Sequence, residues 1–337
     1  MKTSFLKNTI LILCLSAFIF SSRASAQDSA LSRAPMLEEK VTVTVTNPDS
    51  TRGVSYYSGR LLRFDRKGME ILTQENQRVT ILPQRIAEME FPKNFALESA
   101  EREFSQNHFT EALGFFQEAQ NSERRPLVRA MIREKIVRCY RNLGKNTEAV
   151  TEFLRLAEEF PEMPDEMFSC VPLVWEPDVR DTLTPRKAAE IYRQTKTPIV
   201  QLFYGSYLLS SAESAAAVNV LKTLTKSKDI RLATLAETQL WRSAEPRDLN
   251  EKMFAEWEST LERIPVAMRG GPSFVLGKAY ARTGDTDRAV LAFLKAATVY
   301  HQDAPFSAEA LREAAELVEE AGHAEEAEIL RKKLLGN

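Results

Sequence analysis

Apolar and polar positions along this chain change their period once, near residue 92. Before that point they alternate. The run "KVTVTVT" at residues 40–46 is strictly alternating and rich in β-branched residues, which is typical of a half-buried strand. Four more short runs follow at residues 56–64, 69–74, 78–83 and 86–91, and polar or glycine-containing turns separate them. The pattern predicts five short strands between residues 38 and 92.

The spacing of these runs resembles that of small SH3-like or Sm-like barrels. Gly59 falls within the second run, where a barrel strand would bend, and Gly68 falls in the next hairpin turn. The resemblance implies a small all-β barrel at residues 38–92 that serves for docking or capping. Sm-like barrels often bind RNA, but acidic residues balance the basic ones in this segment, so we expect no nucleic-acid partner.

From residue 95 onward the apolar positions recur every three or four residues, the period of an amphipathic helix. In residues 273–297 small residues such as Gly277 stand where two helices would touch, and Gly284 provides the turn. The central alanines of the second helices are 37, 68, 72 and 38 residues apart, at Ala112, Ala149, Ala217, Ala289 and Ala327. Two gaps span two periods, so we predict two weaker hairpins, at residues 232–264 and within 162–198.

This pattern resembles the tetratricopeptide repeat (TPR) family, whose helix–turn–helix units of about 34 residues stack into a solenoid. The resemblance implies a mostly α protein of about six to seven hairpins, with repeats at residues 95–161 and 199–337. Residues 162–198 break the pattern, because their prolines leave room only for a short helix near residues 187–194. We expect an irregular insert or a degenerate repeat there. The Gly-Gly-Pro sequence at residues 270–272 predicts a flexible connector.

The concave groove of such a solenoid is lined by the first helix of each hairpin and binds extended peptides or helices, so the resemblance implies a protein partner. Helical spacing places twelve residues there: Leu97, Glu101, Phe104, Glu134, Arg138, Arg141, Leu202, Ser206, Leu209, Phe274, Lys278 and Arg282. The alternative is that their charges only solvate the inner face. Glu134 and Arg138 occupy positions where the family's carboxylate clamp has Lys and Asn, which argues against a receptor for chaperone tails.

The insert carries a second site hypothesis around Trp175. The segment "VPLVWEP" either folds over the groove as a plug or lid, forms a partner-facing loop, or packs against neighbouring helices. Cys139 and Cys170 also raise the question of a disulfide, which would close a loop of about 30 residues and add about 3 kcal/mol. Two unlinked thiols are favoured, because a chain of this size needs no crosslink.

The N-terminus predicts export. Lys2 and Lys7 precede an apolar run at residues 10–20, and a small-residue cleavage site follows at residues 24–26. We therefore expect a signal peptide at residues 1–26, a flexible leader at 27–37, and a soluble mature protein in the periplasm or cell envelope, with secretion as another outcome. Retention of the apolar run as an anchor stays open. Leu13 before Cys14 argues against a lipoprotein, and no later segment predicts a membrane span.

Composition adds few candidates for chemistry. The net charge of −2 gives no reason to expect a polyanion. None of the histidines at positions 108, 301 and 323 is four residues from another histidine or a cysteine, and the chain has no glycine-rich phosphate loop. We therefore expect no catalytic residue, no metal and no cofactor, and predict a non-enzymatic scaffold. The alternatives are a module that binds peptidoglycan or another envelope polymer, which requires aromatic residues along the groove, and an enzyme or accessory subunit of an envelope enzyme.

Overall fold

The structure is a computed structural model that describes residues 40–46, 53–176, 181, 183–300 and 304–335. The predicted signal peptide and leader lie outside the described residues. The chain forms two compact units. The first contains most of a β-sheet; the second contains the helices together with Arg63–Met69 and Ile81–Gln84. Within the described ranges, every helix is too short or too polar to cross a bilayer.

The first unit is built on a five-stranded antiparallel sheet. Its strands are β1 (Lys40–Thr46), β2 (Val54–Asp65), β3 (Gly68–Thr73), β4 (Arg78–Ile81) and β5 (Ile86–Glu90), in the order β4-β3-β2-β1-β5. The inner strand β1 pairs with both β2 and β5, and its alternating valines are buried. The five predicted strands are confirmed, and in β1 strict alternation fixes which face is buried.

The prediction of a closed barrel is wrong, because the sheet is open and β4 and β5 form its two edges. These edge strands have only four and five residues, and a 3-10 turn at Pro83–Arg85 joins them where a closing ladder would have to form. Gly59 marks the closest approach of β2 to β3, since a Cβ there would lie 2.2 Å from the carbonyl oxygen of Leu72.

The second unit contains fourteen α-helices within the described residues. They are α1 (Phe95–Ser105), α2 (Phe109–Ser122), α3 (Pro126–Asn142), α4 (Asn146–Glu159), α5 (Asp165–Phe168), α6 (Leu183–Gln194), α7 (Pro198–Leu208), α8 (Ser214–Leu224), α9 (Ile230–Trp241), α10 (Glu251–Arg263), α11 (Gly270–Arg282), α12 (Thr286–Leu294), α13 (Ala304–Glu320) and α14 (Ala324–Leu335). A π-helical turn at Lys295–Val299 extends α12, and 3-10 turns occupy Pro246–Asp248 and Val266–Met268.

The helices form successive antiparallel hairpins of the TPR-like type, as predicted. Consecutive helices pack as α1 with α2, α3 with α4, α7 with α8, α11 with α12 and α13 with α14. Gly144, in the turn between α3 and α4, and Gly284, in the turn between α11 and α12, have φ of 68° and 78°. Glycine adopts this backbone conformation without strain. The weaker hairpin predicted at residues 232–264 is present as α9 and α10.

Small residues sit where two helices touch, as the sequence pattern indicates. A Cβ on Gly277 of α11 would lie 2.8 Å from the ring of Phe293 on α12, and one on Gly205 of α7 would lie 2.4 Å from Leu221 on α8. Phe293 and Leu221 are fully buried. Each large side chain therefore fills space that a glycine on the facing helix leaves open.

Residues 270–272 are not a flexible connector, because α11 begins at Gly270. Pro272 is tolerated there, since the N–H groups of a first helical turn have no partner within the helix. The Arg269 side chain fixes the entry to the helix by donating to the carbonyl oxygens of Ile264 and Glu262, each at 2.7 Å. Within residues 162–198, the short helix predicted near residues 187–194 is present as α6, which is longer than predicted. The segment also contains α5, a single helical turn that the sequence did not predict.

Substitution of Gly277 by alanine tests this packing. The added methyl group must displace the buried Phe293 ring, so we expect the free energy of unfolding to fall by about 1–3 kcal/mol in denaturant titrations. Gly114 on α2 is the matched control, because a Cβ there has no neighbour within 4 Å. Gly114→Ala should raise the stability by about 0.5–1 kcal/mol. Equal stability gains in both variants would contradict the packing described.

Candidate functional site

The first helices of the hairpins contact one another, and this buries much of the predicted groove. Helix α7 contacts α9, α9 contacts α11, α11 contacts α13, and α13 also contacts α3. Seven of the twelve predicted groove residues are buried: Leu97, Glu134, Arg138, Leu202, Ser206, Leu209 and Phe274. Glu101, Phe104, Arg141 and Lys278 are partly exposed, and Arg282 is exposed. The accessible inner surface is therefore smaller than the helical projection indicates.

The charged groove residues of α3 are engaged within the fold. Glu134 and Arg138 form an ion pair one turn apart, and Arg138 also donates to the Ser169 hydroxyl at 2.9 Å. Burial alone would raise the pKa of Glu134, but the positive charges of Arg138 and Lys135 outweigh it and lower the pKa. Arg138 therefore holds the insert in place, whereas the sequence pattern assigned it to a partner.

The groove residues of α1 form a separate cluster. The Phe104 ring lies edge-on to the rings of Phe109 and Phe116, with centroids 5.5 and 6.1 Å away. The Glu101 carboxylate pairs with the Lys93 ammonium at 2.5 Å. The groove residues of α1 are thus engaged with neighbours within the fold.

Residues 163–176 take the place of a first helix that one hairpin lacks. These residues, which we call the insert from here on, lie before α6 and contact the first helices on either side, α3 and α7. Its Ser169 bonds to Arg138 of α3, the Tyr207 hydroxyl of α7 donates to the Pro172 carbonyl at 2.9 Å, and the Val174 N–H donates to the Ser206 hydroxyl at 2.9 Å.

Phe168 anchors the insert in the core. Its ring lies edge-on to that of Phe153 on α4 at 5.6 Å, and the buried Arg231 guanidinium of α9 lies 4.2 Å from its centroid. Arg231 also donates to the Met163 carbonyl at 2.9 Å and pairs with Asp229. These contacts correspond to the packing alternative for the insert.

Cys139 and Cys170 are both reduced and fully buried, so the disulfide considered from the sequence is not formed in this structure. The pKa of the Cys139 thiol is raised to about 12, mainly by burial and also by the nearby Glu134 carboxylate, while Lys135 opposes the shift. The thiol therefore stays protonated at neutral pH, unlike a nucleophilic cysteine.

Trp175, at the end of the insert, lies against the start of α11. A Cβ on Gly271 would lie 2.0 Å from the indole Cε2 atom, so only glycine leaves room for the ring. The next residue, Glu176, pairs with Lys278 of α11 at 3.1 Å. The insert thus reaches from α3 to α11 along the first helices.

A cleft of about 290 Å³ opens beside Trp175, and we call it the tryptophan cleft. All three tryptophans of the chain line it, namely Trp175, Trp241 and Trp257, together with Phe274. The basic side chains that line it are Arg242, Lys278 and Arg282. The cleft therefore combines an apolar wall with positive charge. It includes four residues expected from the sequence, which are Trp175, Phe274, Lys278 and Arg282.

The aromatic wall is held rigidly. The rings of Trp241 and Trp257 are stacked, with centroids 4.8 Å apart and planes 8° apart, and only 5% and 7% of their surfaces are exposed. Phe254 supports Trp257 edge-on at 6.3 Å. Because so little of either stacked indole is exposed, a ligand would meet only a small part of each ring.

Lys278 is neutralised within the fold. Its ammonium contacts Glu313 of α13 at 2.5 Å and Glu176 at 3.1 Å. Burial works to lower the pKa of Lys278, but the hydrogen bonds and negative charges of these two carboxylates outweigh it and raise the pKa. Glu309 completes a group of three carboxylates whose oxygens lie within 4.8 Å of one another. Lys278 supplies the positive charge to this group.

Arg242 lacks such compensation. Its Nη1 donates to the Ser206 carbonyl at 2.9 Å and to Gln239 Oε1 at 2.6 Å, both neutral acceptors. Its Nε is buried and has no hydrogen-bond partner among the described residues. Burial lowers the pKa of Arg242 to about 10, an effect that the Tyr207 hydroxyl opposes. Arg242 and the stacked tryptophans were absent from the predicted groove, although the grouping of tryptophans after residue 170 is a signal that could have identified them.

Comparison with known proteins identifies one repeat. Residues 135–162, which cover most of the α3–α4 hairpin, match the family model for the tetratricopeptide repeat. Two solved structures similar to this chain are the nearly identical TPR-like repeats of a kinesin light chain from Podosopora anserina and a single-residue variant of them. Each is 14% identical and aligns 72% of this chain with 92% of that chain, at TM-scores of 0.23 and 0.24. Curated proteins give no match.

Truncation of Phe168 distinguishes a packed insert from a removable lid. Phe168→Ala removes a ring that is only 4% exposed, so we expect the free energy of unfolding to fall by about 3–5 kcal/mol in denaturant titrations. Glu176→Gln is the control, because the ion pair of Glu176 with Lys278 is solvent-exposed and such pairs contribute about 0–1 kcal/mol. A loss below about 1 kcal/mol for Phe168→Ala would show that the insert is not part of the core.

Proposed function

We propose that this chain is a non-enzymatic, TPR-like scaffold that acts in the periplasm or cell envelope and binds a protein partner in the tryptophan cleft. The observation that carries the proposal is the cleft itself, where aromatic side chains and basic side chains meet in an array whose inner face is otherwise largely buried. The location outside the cytoplasm rests on the signal-peptide pattern of residues 1–26.

The lining of the cleft suits a protein partner. Tryptophan and arginine are among the side chains most enriched at the residues that contribute most of the binding energy in protein interfaces. Such residues cluster in well-packed pockets. The volume of about 290 Å³ corresponds to about ten water molecules, which a large apolar side chain could displace. Because the walls are packed into the core of neighbouring hairpins, the cleft needs little ordering when a partner binds.

The geometry favours a protein over a polysaccharide. A sugar ring stacks on an open aromatic face, but Trp241 and Trp257 stack on each other and are only 5% and 7% exposed, so neither offers an open face. The described residues that line the cleft include neither His nor Cys nor Asp, and the one acidic side chain among them, Glu176, is paired with Lys278. This composition supports a binding role, since general acid–base catalysis needs a positioned group that can exchange a proton.

A variant that fills the cleft tests the proposal. Ala244 lines the cleft and is partly exposed, so Ala244→Trp should block the cleft without removing any core side chain. We expect the tagged wild-type chain to capture a protein from an envelope extract and Ala244→Trp to lose at least about nine-tenths of that capture, a free-energy loss of about 1.4 kcal/mol. Ala216→Trp, on the exposed side of α8, is the control and should capture normally.

Two outcomes would contradict the proposal. Equal capture by Ala244→Trp and wild type would place the interface elsewhere on the chain. Specific retention of peptidoglycan or another envelope polymer, with no protein bound in a cleft-dependent way, would favour the polymer-binding alternative. Unfolding midpoints of both tryptophan variants should match the wild type, which separates a blocked site from a damaged fold.

A further inference from the structure

We propose that the tryptophan cleft binds an extended segment of the partner in which an acidic side chain lies two residues from a large apolar one. This inference rests on the proposed function and adds the chemistry of the partner. It is carried by the positive charges of the cleft, because the described part of the chain leaves some of them without a negative partner.

Arg242 differs from the three arginines that are buried among the described residues of the helical unit. Arg133, Arg138 and Arg231 each have a carboxylate partner, in Glu152, Glu134 and Asp229 respectively. Arg242 bonds only to a backbone carbonyl and an amide oxygen, and its buried Nε is unpaired within the described chain. A charge removed from water without a counter-ion is costly to the fold. Its position in a binding cleft indicates that a ligand supplies the missing negative charge.

Arg282 adds a second uncompensated cation at the rim. It ends α11, its side chain is exposed, and the described part of the chain offers it no ion pair. Lys278, which lies between Phe274 and Arg282 on the same helix, is already neutralised by two glutamates. The positive charge available to a ligand is therefore concentrated on Arg242 and Arg282. A carboxylate is the group that guanidinium pairs most specifically, through parallel hydrogen bonds.

The length of the cleft points to a passing segment of chain. Its lining begins at Ser210, just after α7, continues at Trp241 at the end of α9, and reaches Arg282 at the end of α11. Neighbouring helix axes lie about 8–10 Å apart, so three successive first helices span about 20 Å. An extended chain rises about 3.3 Å per residue and covers that distance in about six residues.

An extended segment presents alternate side chains to the same side, about 7 Å apart. One of them can therefore enter beside Trp257 and Phe274 while the second lies at Arg242 and Arg282. This arrangement explains why an apolar wall and unpaired guanidinium groups share one cleft. The partner segment is identified by an apolar residue, any residue, and then an acidic residue, or by the reverse order.

Capped synthetic peptides provide the test. The first is acetyl-Ser-Leu-Ser-Glu-Ser-Leu-Ser-amide, the second has Gln in place of Glu, and the third is the Gln peptide with a free C-terminal carboxylate. Binding to the full chain is followed by intrinsic tryptophan fluorescence, which reports on the cleft because all three tryptophans line it and the peptides contain none. Calorimetry gives an independent dissociation constant.

We expect the Glu peptide to bind at least about tenfold more tightly than the Gln peptide, and added salt to reduce that preference. Arg242→Gln and Arg282→Gln should each weaken the preference, and the double variant should abolish it. Arg247→Gln is the matched control, because Arg247 is exposed on the turn Pro246–Asp248 and does not line the cleft. Because Arg282 is exposed, its substitution keeps the test valid even if Arg242→Gln impairs folding.

Several results would overturn the inference. They are equal affinity for the Glu and Gln peptides, no binding of either peptide at millimolar concentration, and a preference that survives the double arginine variant. Tight binding of the third peptide instead of the first would assign the cleft to a chain end. Failure here is distinguishable from failure of the scaffold proposal. Capture that is lost in Ala244→Trp but normal in the double arginine variant would retain the scaffold and reject the acidic segment.

Discussion

The helical unit depends on one constraint, which is that no hairpin can bury its own apolar face. The two helices within a hairpin pack closely because glycines such as Gly277 and Gly205 face large side chains on the partner helix. Each hairpin then stacks on its neighbours. The same constraint acts on the first helices, which contact one another in series from α7 to α13. A position where one first helix is missing must therefore be filled by another part of the chain.

The insert at residues 163–176 satisfies that requirement. Phe168 and its neighbours supply the apolar volume, and the side chains of Arg138, Ser206 and Tyr207 satisfy polar groups of its irregular backbone. The insert continues past the vacant position and places Trp175 on Gly271. The tryptophan cleft is thus a consequence of the irregular repeat, since its wall at Trp175 exists only because the insert extends to α11.

The sequence was sufficient to predict the elements that local periodicity determines. Alternation from residue 40 predicts the strands, and the spacing of alanines such as Ala149 and Ala289 predicts the hairpins, because both patterns follow from one buried face per element. Closure of the sheet was predicted wrongly, since it depends on pairing between β4 and β5, which no local pattern specifies. Residues 270–272 were assigned to a connector because the sequence could not reveal that Trp175 lies against Gly271.

The site was predicted only in part, because local patterns do not specify the tertiary contacts of its residues. Helical spacing identified Phe274, Lys278 and Arg282, which share one face of α11. It could not identify Arg242, because the significance of that residue lies in a counter-charge that the folded chain does not provide. Nor could it show that Glu134 and Arg138 neutralise each other within α3. Which charges remain available to a partner is a property of tertiary contacts.

Hydrogen–deuterium exchange of the chain with and without its captured partner tests the central claim most directly. If the partner lies in the tryptophan cleft, backbone amides at the end of α9, in the turn Pro246–Asp248 and along α11 should exchange more slowly in the complex, while those of α1 and α2 should be unchanged. Protection confined to α1–α4, with α9 and α11 unaffected, would contradict the assignment of the cleft as the binding site.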